Sequence, residues 1–211
     1  MKQHNISNHT VSRETNQYTL QLYERCESQL NTYLDQLLWW NKRINLVSRN
    51  VPRETVREHL FHSLLLSRLK DFSVAQSIVD AGTGGGLPGL PLAITYPEKR
   101  FLLNDVVSKK CLAVKQIVRK IGLTNVQIAD CSIEKLQRQE PFLLISKHAF
   151  KINDLYQMTS HLPWESMVLY KGINFKKELK GIDEPLTVKS YELSALGDFY
   201  KDKAIVLISR T

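Results

Sequence analysis

The apolar positions change period about a third of the way along the chain. From about Tyr18 to Asn45, residues Leu20, Tyr23, Leu30, Tyr33, Leu34, Leu37 and Leu38 recur mostly three and four apart, the spacing of one face of a helix. One or two amphipathic helices are predicted there. The residues up to about 15 are polar and are expected to fray. Pro52 suits a loop or the first turn of a further helix, and Leu60, Leu64, Leu65 and Leu69 continue the helical spacing. No strand pattern precedes Ser77, so residues 1–72 read as an all-helical N-terminal region and 73–211 as a second unit.

From Ser77 onward short apolar runs alternate with helical stretches. Strands are predicted near 77–80, 100–104, 125–129, 142–146, 166–170, 187–193 and 204–209. Helices are predicted near 88–96, 108–122, 132–138, 151–161 and 174–181. Such alternation implies an α/β fold, a parallel sheet covered on both faces. The last two strands have Gly197 and Asp198 between them and no helix. A hairpin would set the final strand antiparallel. Seven strands, mostly parallel with an antiparallel last strand, resemble the Rossmann-like class I fold of S-adenosylmethionine (AdoMet)-dependent methyltransferases more than a dehydrogenase.

Composition narrows the setting. The chain has 211 residues, 43% hydrophobic and 24% charged, a globular balance with room for a substantial core. No apolar run reaches membrane-span length, and the polar N-terminus lacks a signal-peptide core, so a cytoplasmic protein is expected. Cys26, Cys111 and Cys131 are far apart and suggest neither a disulfide framework nor a zinc site. His59 and His62 lie three apart without a further ligand at metal spacing, so no metal is expected. Nothing in the composition calls for an oligomer, and a monomer is expected.

Net charge is +8, which favours a polyanionic partner. The cations cluster: Lys42, Arg43, Arg49, Arg53 and Arg57; then Lys109, Lys110, Lys115, Arg119 and Lys120; then Lys171, Lys176, Lys177 and Lys180. Nucleic acid fits such groups when they flank a ligand loop. Lys42, Arg43, Lys109, Lys110 and Lys171 are the expected phosphate contacts.

The ligand loop is the strongest single motif. The apolar run at Ile78 and Val79 ends in Asp80, and Gly82, Gly84, Gly85, Gly86 and Gly89 follow before a helical pattern. Glycines between a strand and a helix let the backbone approach a nucleotide-like ligand closely. Asp105 closes the next apolar run, where a carboxylate can accept both hydroxyls of a ribose. This arrangement serves NAD and AdoMet alike, and by itself it leaves the choice open.

Wider motifs resemble one family. Trp40-Asn41-Lys42-Arg43-Ile44-Asn45-Leu46, the run from Gly82 through Leu87-Pro88-Gly89 to Ala93, Asp105 with Ser108-Lys109-Lys110, Ile133-Glu134, and Tyr170-Lys171-Gly172 are similar to signatures of RsmG (GidB), the AdoMet-dependent methyltransferases of a guanine N7 in 16S ribosomal RNA. The resemblance covers most of the chain. It implies AdoMet as cofactor and small-subunit ribosomal RNA, or the subunit itself, as partner. It implies cofactor contacts from Gly82, Thr83, Gly84, Gly86, Leu87, Asp105, Ile133, Glu134 and Lys147. No general base is implied, because N7 carries no proton; Lys147 is the one side chain that would stand at the mouth between cofactor and RNA. Three positions depart from the family pattern. Lys147 stands for the arginine of an S-R-A motif, His62 for the aspartate of H-x-x-D-S, and Ser108 for a glycine. Lys147 keeps the charge but loses the planar fork, and Lys147→Arg is expected to preserve or raise activity. A non-catalytic RNA-binding protein of the same fold is the alternative, with an NAD-dependent oxidoreductase further behind.

Overall fold

A computed structural model describes residues 4–210. Its strands are β1 Asn5–Thr10, β2 Ser77–Ala81, β3 Arg100–Asp105, β4 Val126–Asp130, β5 Phe142–Lys147, β6 Trp164–Gly172, β7 Leu186–Glu192 and β8 Lys203–Arg210. Its helices are α1 Arg13–Arg25, α2 Glu27–Asn41, α3 Arg53–Leu64, α4 Lys70–Val74, α5 Gly89–Thr95, α6 Ser108–Ile121 and α7 Ile152–Thr159. The strands form one sheet in the order β1-β7-β8-β6-β5-β2-β3-β4. Only β8 is antiparallel to its neighbours, β6 and β7.

The strands alternate their side chains between two cores, as the pleat requires. Ile78, Leu143, Ile145, Val168 and Leu207 face one cluster, completed by α1, α2, α3, α5 and α6. Val79, Ala81, Leu144, Met167, Val206 and Ile208 face the other, beneath α7 and the turn of residues 175–179. The N-terminal helices therefore share one core with the sheet. Leu30, Leu34 and Leu37 of α2 are buried there, and full burial stabilises by about 1.5–3 kcal/mol for each such side chain. Helix α6 shows the local logic. Cys111, Val114, Ile117 and Val118 bury one stripe, and Gly122 ends the helix at φ 80°, a left-handed conformation that costs a glycine little.

The sheet has eight strands, not seven, and the N-terminal region is not all helical. Asn5–Thr10 pairs in parallel with β7 as an edge strand instead of fraying. Its sequence, Asn-Ile-Ser-Asn-His-Thr, has no apolar alternation to announce it. The ladder to β7 holds it, helped by a 2.8 Å hydrogen bond from Ser190 Oγ to Asn8 Oδ1 and by His9 stacked on Tyr191. Two predicted helices shrink to single 3₁₀ turns, Ile133–Lys135 and Phe175–Leu179. The second keeps the i, i+4 burial of Phe175 and Leu179 that suggested a helix.

Candidate functional site

The chain fills the sheet outward from β2 to β4, then returns to lay β5 on the other side of β2. Strand order reverses between β2 and β5, and in open α/β sheets ligands bind at the carboxyl ends beside such a switch. Here a cavity of about 550 Å³ opens at that place. The glycine loop after β2, Asp105 at the end of β3 and Lys147 at the end of β5 all line it.

The loop is held from three sides. Asp80 is buried, and its Oδ2 accepts hydrogen bonds from Thr83 Oγ1 at 2.7 Å and Gly89 N at 2.9 Å, closing the turn into α5. Burial pushes the Asp80 carboxyl up to about 7, against the pull of those two donors and of Lys147. Tyr33 of α2 donates to Gly85 O at 3.1 Å. Asp105 Oδ2 accepts from Gly84 N at 2.9 Å, while its Oδ1 accepts from Val107 N at 2.9 Å at the start of α6. A carboxylate offers about four acceptor positions. Two are used here, which leaves capacity for ribose hydroxyls.

Gly84 itself has φ +57°, and a Cβ added there would meet only Leu46 O, at 3.4 Å. It is the bare backbone that a ligand can approach. The opposite wall is the segment after α2. Asn41 Oδ1 accepts from Leu46 N and Val47 N at 2.9 and 3.0 Å, and Asn41 Nδ2 donates to Ser48 O at 3.1 Å. This clamp presents Leu46, Val47 and Ser48 to the cavity. It also explains physically why an asparagine sits inside the Trp40-Asn41-Lys42 motif.

Lys147 is buried rather than solvated. Its Nζ donates to His59 O at 2.6 Å and Ser63 Oγ at 3.2 Å, which ties β5 to α3. Burial pulls its ammonium down to about 7, opposed by the Asp80 charge. His62 lies beside it with its ring 4.8 Å from that of Tyr170, and neither ring nitrogen has a hydrogen-bond partner among the described residues. Burial first, then the charge of Lys147, keeps the imidazole well below its ordinary pKa. His59 is pushed down to about 4 for the same two leading reasons.

The expected site residues separate. Gly82, Thr83, Gly84, Leu87, Asp105 and Lys147 line the cavity together with Lys110. Gly86 does not line the cavity, and a Cβ there would strike Leu90 at 2.5 Å. Ile133 is buried in the second core cluster, and exposed Glu134 borders a separate depression with His161. Lys42, Arg43 and Lys109 are exposed. Lys171 is corrected as a phosphate contact. Its ammonium is turned inward, 2.5 Å from Glu178 Oε2 and 2.6 Å from Phe150 O. Val47, Val51, His148 and Phe150 also line the cavity. They belong to no glycine or acidic motif, so only their place in space identifies them.

Cavity, glycine loop and a carboxylate with free acceptor positions form a site suited to a nucleoside-containing ligand at the switch of a Rossmann-like sheet, the fold of class I methyltransferases. Solved structures of that class share the fold. An O-methyltransferase from Bacillus cereus in complex with SAH superposes with a TM-score of 0.60 at 15% identity, covering 84% of this chain and 90% of that one. The METTL16 MTase domain gives 0.56 at 15% identity, over 87% and 81%. Within that class the chain belongs to the GidB family, described as rRNA small subunit methyltransferase G, whose model matches residues 26–206. It is 34% identical over 209 residues to the ribosomal RNA small subunit methyltransferase G of Chlorobium limicola, covering 94% of this chain and 93% of that protein. The Vibrio campbellii protein of that name is 33% identical over 92% of each chain.

Proposed function

We propose that this protein transfers the methyl group of AdoMet to N7 of a guanine in small-subunit ribosomal RNA. The observation that carries the reading is the glycine-loop cavity closed by Asp105 and Lys147 in a chain of this family. The residues fit the cofactor on their own geometry: bare backbone at Gly84, spare acceptor capacity at Asp105, and a volume in the range that small ligands fill.

AdoMet supplies an electrophilic methyl on a sulfonium. Guanine N7 presents a free lone pair, so this chain has no proton to remove. Its task is alignment and exclusion of water, and positioning can lower a barrier by about 7–11 kcal/mol in favourable cases. Asp105 would hold the ribose, and the backbone at Gly82, Thr83 and Gly84 would pass beside the methionine part. Leu87, Val51, Val56 and Phe150 give the cavity apolar wall, which keeps bulk water from the lone pair. Lys147 would fix the β5 end at the mouth. Lys42, Arg43, Lys109 and Lys110 would meet phosphates. The guanine must leave its stack or lie in an exposed loop to enter. Among the described residues no helix is long and apolar enough to cross a membrane. The reading makes the protein a cytoplasmic monomer working on the ribosomal subunit.

The test is tritiated methyl transfer from AdoMet to small subunits and to naked 16S rRNA lacking N7 methylation, with the modified base mapped. Label at one guanine N7 is expected. AdoMet binding without label in either substrate would reject the activity.

A further inference from the structure

A second cavity of about 550 Å³ lies beside the first. The two share Val51 as a lining residue. The segment clamped by Asn41 stands between them, since Leu46–Ser48 line the glycine-loop side and Lys42, Arg43, Arg49 and Arg53 line the other. No acidic side chain lines this second cavity. Two of its cations are already oriented. Arg53 is held by Asp35, and Arg43 lies 3.5 Å from the Trp39 ring and donates to Trp39 O at 2.9 Å. Lys42 and Arg49 are exposed and form no ion pair among the described residues. The amides of Asn45 and Asn50 add neutral polar groups, and Asn50 turns the chain at φ 55°, a conformation asparagine tolerates better than most residues.

Resting on the methyltransferase reading, we propose that this cavity is a phosphodiester subsite. It takes the backbone of the single-stranded RNA segment that delivers its guanine across the Leu46–Ser48 wall into the methyl-transfer cavity. The division of labour follows from the linings. One chamber has apolar wall and a glycine loop and suits a base and its cofactor. The other is lined by four cations, of which Arg53 is already paired with Asp35, and by no carboxylate, which suits phosphates. Guanidinium groups pair phosphate oxygens bidentately, and oriented ones lose less freedom on binding. Amides can reach a ribose hydroxyl. A shared wall puts the two chambers within reach of one RNA strand.

The experiment compares the full-length protein with a Lys42→Gln/Arg49→Gln variant. A Lys176→Gln/Lys177→Gln variant removes equal charge from the turn of residues 175–179, which packs on the opposite face of the sheet. Affinity for a single-stranded fragment of small-subunit rRNA is followed by fluorescence anisotropy across a salt series, and AdoMet affinity by calorimetry. Removing two phosphate contacts should weaken RNA binding about tenfold at moderate salt and flatten the slope of log K against log salt by about 1.4. AdoMet affinity should stay unchanged, which also certifies the fold, and the control variant should retain wild-type RNA binding. Equal losses in both variants would reduce the effect to bulk charge and overturn the subsite. So would wild-type affinity and slope in the Lys42/Arg49 variant while the wild-type enzyme methylates rRNA. Binding of inorganic phosphate alone in calorimetry, lost in the Lys42/Arg49 variant without an RNA effect, would make the cavity a free-anion site and overturn the assignment. Selective loss of RNA binding in a protein that transfers no methyl would support the subsite and reject the activity, so the two readings fail separately.

Discussion

At Gly84 a single hydrogen atom decides whether the cavity is open. The backbone there is left-handed and its N–H is committed to Asp105. Any side chain strains the backbone, by about 1–2 kcal/mol for a residue with a Cβ, and enters the space the cofactor needs. Gly84→Asp adds a negative charge beside Asp105 as well. It should abolish AdoMet binding in calorimetry while the far-UV circular dichroism stays native; retained affinity would remove the loop from the site. His62 makes a different point. Its imidazole is buried with both nitrogens unpartnered among the described residues, and its folded-state pKa lies below the free value of 6.5. The unfolded chain therefore binds more protons as pH falls through 6.5, and the histidine costs increasing stability on the acid side. His59, pushed down to about 4, acts in the same direction between 6.5 and 4. Asp80, raised to about 7, acts in the opposite direction between 7 and its free value, so the comparison is made against a variant. His62→Leu should be more stable than wild type by about 1 kcal/mol at neutral pH, because an unsatisfied buried polar group is gone. Its advantage in urea midpoint should widen from pH 6.5 toward 4. A pH-independent difference would contradict the neutral, buried assignment.

At the scale of elements, the tie between β5 and α3 reverses an expectation drawn from sequence. Where the related signatures carry arginine and aspartate, this chain carries Lys147 and His62, and both are buried within one small volume. An amine that burial brings down to about 7 can shed its proton near neutrality; a guanidinium cannot. Lys147→Arg alone would therefore bury a permanent charge facing an imidazole, which the Asp80 charge offsets only in part, and a poorly compensated buried charge costs on the order of 3 kcal/mol. Loss of stability, not preserved activity, is the expected result. Adding His62→Asp should recover most of that loss, giving a favourable coupling in a double-mutant cycle of urea midpoints. Additive effects would show that the two positions do not act as a pair.

At the scale of the molecule, the +8 charge is not one surface. Lys171 counts toward the total but is spent internally, bridging β6 to Glu178, which in turn accepts from Ile152 N at 2.9 Å at the start of α7. Lys171→Gln should lower stability by about 3 kcal/mol and leave the salt slope of RNA binding unchanged. A flatter slope would return it to the phosphate surface. Periodicity placed seven strands to within a few residues, because strands buried on both faces, such as β2 and β5, read as apolar runs and half-buried ones, such as β7, alternate. The glycine run and Asp105 were singled out from sequence because a close backbone approach leaves few choices of residue, and the structure brings them to the wall of one cavity. Strand β1 escaped notice, since an edge strand held by backbone ladder bonds needs no apolar signature. The depth of Lys147 and Lys171 also escaped notice, because a lysine reads the same in sequence whether its amine meets water or a buried carbonyl. Residue pattern alone thus determined seven of the eight strands, the alternation of strands and helices and the expectation of a nucleotide-like ligand, all of which follow from local spacing. Only the tertiary structure decided which cations face solvent, which side chains wall the cavity and how Asn41 sets two chambers side by side. Those properties depend on contacts between residues far apart in the chain, and no local pattern encodes them.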